Sequence, residues 1–308
     1  MSRFDTSDFI FRRILAIFPI SVLLLVAGIF IELVISSSQS LGKFGLGFFF
    51  HSTWDPVAEN FGALPFIFGT LVTSFVALLL AVPIGVGAAI YLAEYAPPQV
   101  AKAISILVDL LAAIPSVIYG LWGIFVLVPC MRDVIQPFLG KYLGFLPFFQ
   151  GPNYGVGMLA ASILLAIIII PFIISVSREV ILAVPNVYKE SAYALGTTKW
   201  EAIFDIVLSY GRVGILGAVI LALGRAIGET MAVTMIIGNN VVITPSLFSP
   251  GYTLASVLAN EFAEADSSMY LSALIEIGLV LFVISIIVNI LARVLIWSVT
   301  KGPAEVIK

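Results

Sequence analysis

The chain has 308 residues, 61% of them hydrophobic and only 11% charged, with a mean hydropathy of +1.14. That composition is too apolar for a soluble domain of this length, so the chain reads as an integral membrane protein. A net charge of -3 without any Lys/Arg block excludes nucleic acid as a partner, and a single cysteine with a single histidine excludes an internal disulfide and a His/Cys metal or haem site, so no cofactor is implied.

Arg12 and Arg13 precede an apolar run from Ile14 to Ile35, which is longer than a signal-peptide core and lacks a small-residue cleavage site. It is expected to stay as the first of six spans, followed by Pro65 to Ala93, Ile104 to Pro129, Val156 to Val176, Val213 to Ile237 and Leu271 to Ser298. The stretches do not alternate as barrel strands would. The fold class is therefore all-α, a polytopic protein of six transmembrane helices, with Pro83, Pro115 and Pro171 expected to kink or loosen theirs. Residues 1–64 hold the N-terminal tail, first span and an outside loop, 65–298 the transmembrane domain with a polar loop at about 177–211, and 299–308 a tail.

With the N-terminus inside, the inner segments hold Arg3, Arg12, Arg13, Lys102, Arg178, Lys189, Lys199, Arg212, Arg293, Lys301 and Lys308, against only Lys43, Arg132 and Lys141 outside. Both termini are thus expected in the cytoplasm. Two outside loops, one around Trp54-Asp55-Pro56 and one from Gly238 to Ser268, are long enough to fold over the mouth of a pathway. His51 reads as a loop residue and Cys130 as a small apolar filler.

The polar loop between the fourth and fifth spans is clearly punctuated. Pro185-Asn186 can start a short helix that runs through Glu190, Ala192 and Leu195 and stops at Gly196 in the left-handed conformation. Thr198 and Glu201 then have capping-box spacing, with Trp200, Ile203, Phe204, Val207 and Leu208 on one face of a second short helix. Geometry alone leaves open a hairpin that lies on the membrane surface.

In the fifth span, Arg225 and Glu229 are four residues apart and would share one face of a continuous helix. An ionised side chain at mid-span costs about 2.5 to 3.5 kcal/mol on insertion scales, so such groups face a bundle interior or a polar path. Arg225 offers a fork of donors to a tetrahedral oxyanion. Glu229 can accept a hydrogen bond from a protonated oxyanion but not from a fully ionised one. An ion pair that makes both charges tolerable remains the alternative. Gly224 and Gly228 would let a neighbouring helix approach. Asp109, near the inner end of the third span, and Glu276, about two turns into the sixth, are secondary candidates.

Glu190-Ser191-Ala192, Gly196, Ile206 and Leu208 resemble the Glu-Ala-Ala loop of ABC importer permeases, with Ser191 and Ser209 as departures from the motif. Ala222 to Val233, Gly45-Leu46-Gly47-Phe48-Phe49 and Thr53-Trp54-Asp55-Pro56 resemble, within those permeases, the PstC-type subunit of bacterial and archaeal phosphate importers. The resemblance implies a type I ABC importer permease architecture, embedded in membrane lipid. Its implied partners are a PstA-like permease subunit, a PstB-like ATPase dimer and an outside phosphate-binding protein. It also implies that Glu190, Ser191, Ala192 and Gly196 couple to the ATPase, and that Arg225 and Glu229 match the family's charged positions. The chain itself lacks G-x-x-x-x-G-K-[ST], so it is expected to be a transport subunit rather than an enzyme. Permeases for sulfate or molybdate, and a proton-coupled transporter using Glu229, Glu276 and Asp109, are the competing readings.

Overall fold

The computed structural model describes residues 3–300, which are helical apart from one two-stranded hairpin and its connecting loops. The tail expected at 299–308 lies, from 301 onward, outside the described residues. In chain order the helices are α1 (Arg3–Ser36), α2 (Ser38–Phe44), α3 (Leu64–Tyr95), α4 (Pro98–Ala113), α5 (Ser116–Leu143), α6 (Met158–Leu182), α7 (Asn186–Ala194), α8 (Lys199–Gly228), α9 (Met231–Ile237), α10 (Leu254–Glu261) and α11 (Ser268–Thr300). Six of these, α1, α3, α5, α6, α8 and α11, are long and apolar enough to cross a membrane.

The central span is α6. Leu164, Leu165, Ile169 and Ile173 are buried along it, and α3, α4, α8 and α9 pack around it. By contrast α1 is exposed along nearly all of Phe11–Ser36 and meets the rest through its C-terminal half, where the rings of Phe30 and Phe282 of α11 are 5.7 Å apart. An apolar helix with so much bare surface is compatible with lipid and not with water.

Two expected spans are interrupted. The third starts at Ser116 rather than Ile104, because Ile114 is extended (φ -65, ψ 131) ahead of Pro115 and ends α4 as a separate helix. Steric conflict with a proline ring drives the preceding residue out of helical conformation. Pro83 and Pro171 act differently, since α3 and α6 run through them. The fifth span, expected to be continuous to Ile237, breaks at Glu229, which is extended (φ -71, ψ 121), and resumes as α9. Cys130 lies exposed on α5 instead of filling a core, because it falls on the face turned away from the bundle.

At one end of the bundle, here called the hairpin end, β1 (Trp54–Asp55) pairs with β2 (Asn60–Phe61), and the two loops expected outside meet there. Trp54 Nε1 and Tyr270 Oη each donate to Glu261 Oε2 at 2.7 Å. Trp54 packs edge-on against Phe61 and Phe66, within a core that includes Phe48, Tyr252 and Leu254. Burial pushes the Tyr252 phenol above its ordinary range. A third segment, Gly144–Gly157, joins this end and was not anticipated: Leu247 N–H donates to Phe148 O, and Leu159 N–H to Leu247 O.

A carboxylate that receives two part-buried donors is worth more than either bond alone, because removing it leaves both unpaired. Glu261→Ala is expected to lower stability by about 2 to 4 kcal/mol, and Trp54→Phe, which keeps the ring contacts, by about 1 to 2 kcal/mol. Thermal midpoints of the purified variants in detergent check this order; equal midpoints would remove Glu261 as the tie between the two loops.

Candidate functional site

The polar loop forms as its punctuation predicts, with one difference. α7 ends at Ala194, and Gly196 takes φ +85 while its N–H bonds Tyr193 O at 3.0 Å and Thr197 N–H reaches back to Ala192 O at 3.3 Å. Those return bonds satisfy carbonyls left open by the helix end. Thr198 and Glu201 form the capping box, the Thr198 N–H donating to Glu201 Oε2 at 2.7 Å. The second helix is not a separate short one: from Lys199 it continues as α8 through a π-wound segment, Ala202–Val207. Ser209, standing where the motif has proline, keeps its N–H donor, so nothing in the backbone stops the helix there.

Burial divides the loop into a root and a tip. Ala192, Ile203 and Val207 are buried, and Val207 joins Ala89, Ile181 and Val184 in a core between the ends of α3, α6 and α8. Glu190, Ser191, Leu195 and Gly196 are exposed, as are Trp200 and Phe204, whose rings stack at 5.7 Å. Leu195 is 86% exposed, which leaves an apolar tip uncovered within this chain.

At the other candidate site, Arg225 lies in the last turn of α8 and Glu229 forms the break between α8 and α9. The expected shared helix face is therefore lost at Glu229, and no ion pair joins the two side chains. Arg225 is exposed and Glu229 half-buried, so the guanidinium points away from this chain's own core. The Gly224 and Gly228 positions have no atom within 4 Å of where a Cβ would stand, so the helix approach expected there is not made within the chain.

Sequence reasoning missed Tyr119. Its Oη donates to Leu111 O at 2.8 Å, tying α5 to α4 across the break at Ile114-Pro115, and it lies within electrostatic reach of Arg225. α5 presses on α9 beside it: a Cβ at Gly120 would fall 2.4 Å from Met235 Sδ and 3.2 Å from Ala232 Cα. Each of these two segments follows a helix break, and they are packed as a pair. The available signal was Pro115 followed four residues later by a tyrosine, which spacing alone does not interpret.

The secondary candidates are elsewhere. Asp109 is exposed on α4, outside the third span, and accepts from Ser175 Oγ at 3.1 Å. Glu276 is fully buried in α11 with both carboxyl oxygens unbonded and Ser40 beside it, outside hydrogen-bonding geometry. His51 is an exposed loop residue, as expected.

Residues 81–301 match the family of binding-protein-dependent transport system inner membrane components. The phosphate transport system permease protein PstC of Haemophilus influenzae is 49% identical, covering 95% of this chain and 95% of its own, and that of Mesorhizobium japonicum is 46% identical over 96% and 92%. A probable PstC of the archaeon Methanocaldococcus jannaschii is 40% identical over 82% of each. Among solved structures, a chain of a bacterial alginate ABC transporter superposes with a TM-score of 0.63 at 19% identity, covering 96% of both chains. A chain of the MetNI methionine ABC transporter gives 0.58 at 17%, covering 81% of this chain and all of its own. These two likenesses establish the type I ABC importer permease fold.

Gly196 has open space around it, so a substitution there tests backbone conformation alone. A β-branched residue at φ +85 is strained by about 1 to 2 kcal/mol, whereas asparagine tolerates the left-handed region. Gly196→Val is expected to make the turn at 195–199 several-fold more sensitive to limited proteolysis, with Gly196→Asn close to wild type. Equal sensitivity in all three proteins would contradict the turn.

Proposed function

The chain belongs to the family of binding-protein-dependent transport system inner membrane components, and from that premise we propose that it is the permease subunit of an ATP-driven inorganic phosphate importer. In this reading it lines the translocation pathway with a PstA-like second permease, draws energy from a PstB-like ATPase dimer and takes substrate from a phosphate-binding protein outside. Both termini and the loop of Glu190 to Gly196 are cytoplasmic, and the hairpin end faces outward. The transmembrane domain spans 65–298.

The observation that carries the site assignment is the exposure of Arg225. A permanent cation at mid-membrane has to be solvated, and among the described residues neither a carboxylate nor the core does so. A water-filled, anion-conducting path beside α8 meets that requirement, and lipid does not. The break at Glu229 supports the same reading, because unwound backbone at membrane depth is tolerated where it lines a cavity or is covered by protein.

Each part of the site then has a task. The Arg225 fork binds phosphate oxygens in passing. Glu229 accepts a hydrogen bond from the protonated oxygen, and its own charge keeps the anion from binding too tightly to leave. Glu190, Ser191, Ala192 and Gly196 present the exposed tip to the ATPase, and the buried root made by Ala192, Ile203 and Val207 conveys its movement to α3, α6 and α8.

The double substitution Arg225→Glu with Glu229→Arg preserves both charges while moving the cation from the helix to the break. Phosphate uptake is expected to stay lost, as in each single variant, at matched membrane abundance. Recovery close to wild type would show that only the pair's presence matters and would remove Arg225 from the substrate path.

A further inference from the structure

Two lysines from opposite sides of the Gly196 turn converge on one residue of the second span. Lys189 of α7 forms an ion pair with the Glu94 carboxylate, and Lys199 at the start of α8 donates to the Glu94 backbone carbonyl. The Lys199 ammonium also lies 4.5 Å from the centre of the Tyr95 ring. The Glu94 side chain is 8% exposed and that of Lys189 15%, so the pair is almost desolvated.

Desolvation changes what such a pair does. An exposed pair contributes little and lets its partners drift, whereas a buried one resists separation because losing either partner strands a charge. The apolar root formed by Ala89, Ile181, Val184 and Val207 is not directional. The charges therefore add a fixed register: α7 and α8 are both held to the same point on α3. The loop is thereby prevented from swinging freely about Gly196.

Glu94 stands where a displacement would be passed on. It lies in the π-wound end of α3, Tyr91–Tyr95, and is followed by Pro97 and Pro98, which begin α4. Prolines fix φ and restrict the residue before them, so this junction transmits movement with little slack. α4 is bonded to α5 through Leu111 and Tyr119, and Tyr119 is within electrostatic reach of Arg225.

We propose that Glu94 is a positioning residue that makes the loop and the end of α3 move as one body, delivering loop displacement through α4 and the Leu111–Tyr119 bond to the surroundings of Arg225. The proposal rests on the reading of Glu190 to Gly196 as the ATPase-coupling loop. It adds a connection from that loop to a named point on α3.

The test uses the whole importer in proteoliposomes, reading ATP hydrolysed per phosphate imported together with the amount of ATPase retained. Glu94→Gln and Lys189→Met should each raise that ratio about 5-fold or more with ATPase retention unchanged. Their combination should be no worse than either alone, and Glu94→Lys with Lys189→Glu should recover most of the coupling. A variant of Glu190, Glu190→Lys, separates the two levels of the argument. A raised ratio there with an unchanged ratio in Glu94→Gln and Lys189→Met overturns the anchor and leaves the loop reading standing; no change in all three overturns both. Should Glu94→Gln fail to accumulate, Lys199→Met leaves the carboxylate pair whole, and it should raise the ratio in the same direction by a smaller factor. A wild-type ratio in Lys199→Met would then overturn the proposal.

Discussion

Arg225 is a permanent positive charge in the last turn of the apolar helix α8, exposed and paired with no acid among the described residues. The surrounding structure follows from that constraint. Its helix ends three residues later at Gly228, and the backbone is extended at Glu229 before α9 begins. On the neighbouring span, Pro115 makes a second break, and the two segments that follow the breaks, α5 and α9, meet at Gly120 with no room for a Cβ. Continuous helices satisfy their own backbone and need no water. The two breaks interrupt that self-sufficiency, one of them four residues after Arg225, and the segments that follow them pack as a pair.

The loop end answers a different constraint. Under the proposed coupling role, its exposed tip has to be held rigidly enough to be pushed. The capping box at Thr198 and Glu201, the left-handed Gly196 and the buried root of Ala192, Ile203 and Val207 fix the loop's own shape. Shape alone does not fix where the loop sits. Charge does, through Lys189 and Lys199 on Glu94, in an otherwise apolar setting where an ion pair is costly to break.

Local signals made much of this legible in the sequence. The first, second, fourth and sixth apolar runs, a glycine placed to end α7 and the Thr-x-x-Glu spacing are each local signals, and each forms close to where it is read. What was illegible depends on partners distant in the chain. Ala226-Ile227-Gly228-Glu229-Thr230-Met231 lies inside an apolar run with no proline to mark a stop, and α9 beyond it packs on α5 and α6, contacts that spacing does not reveal. Glu94 and Lys189 are 95 residues apart, and no periodicity links them. Cys130 was assigned to a core by residue type, but the direction α5 faces is a property of the bundle. Pro115 was seen as a kink, and only its extended predecessor turns it into a full stop.

The claim that the exposed face of α8 at Arg225 lines an aqueous anion path is tested most directly one turn along, at Gly228, which has open space on that face. In a Cys130→Ser background, a cysteine substituted for Gly228 in the assembled importer should react with a charged, membrane-impermeant thiol reagent, and inorganic phosphate should slow that reaction. Reaction with a lipid-soluble maleimide alone, indifferent to phosphate, would place this face against lipid or a dry helix and contradict the account.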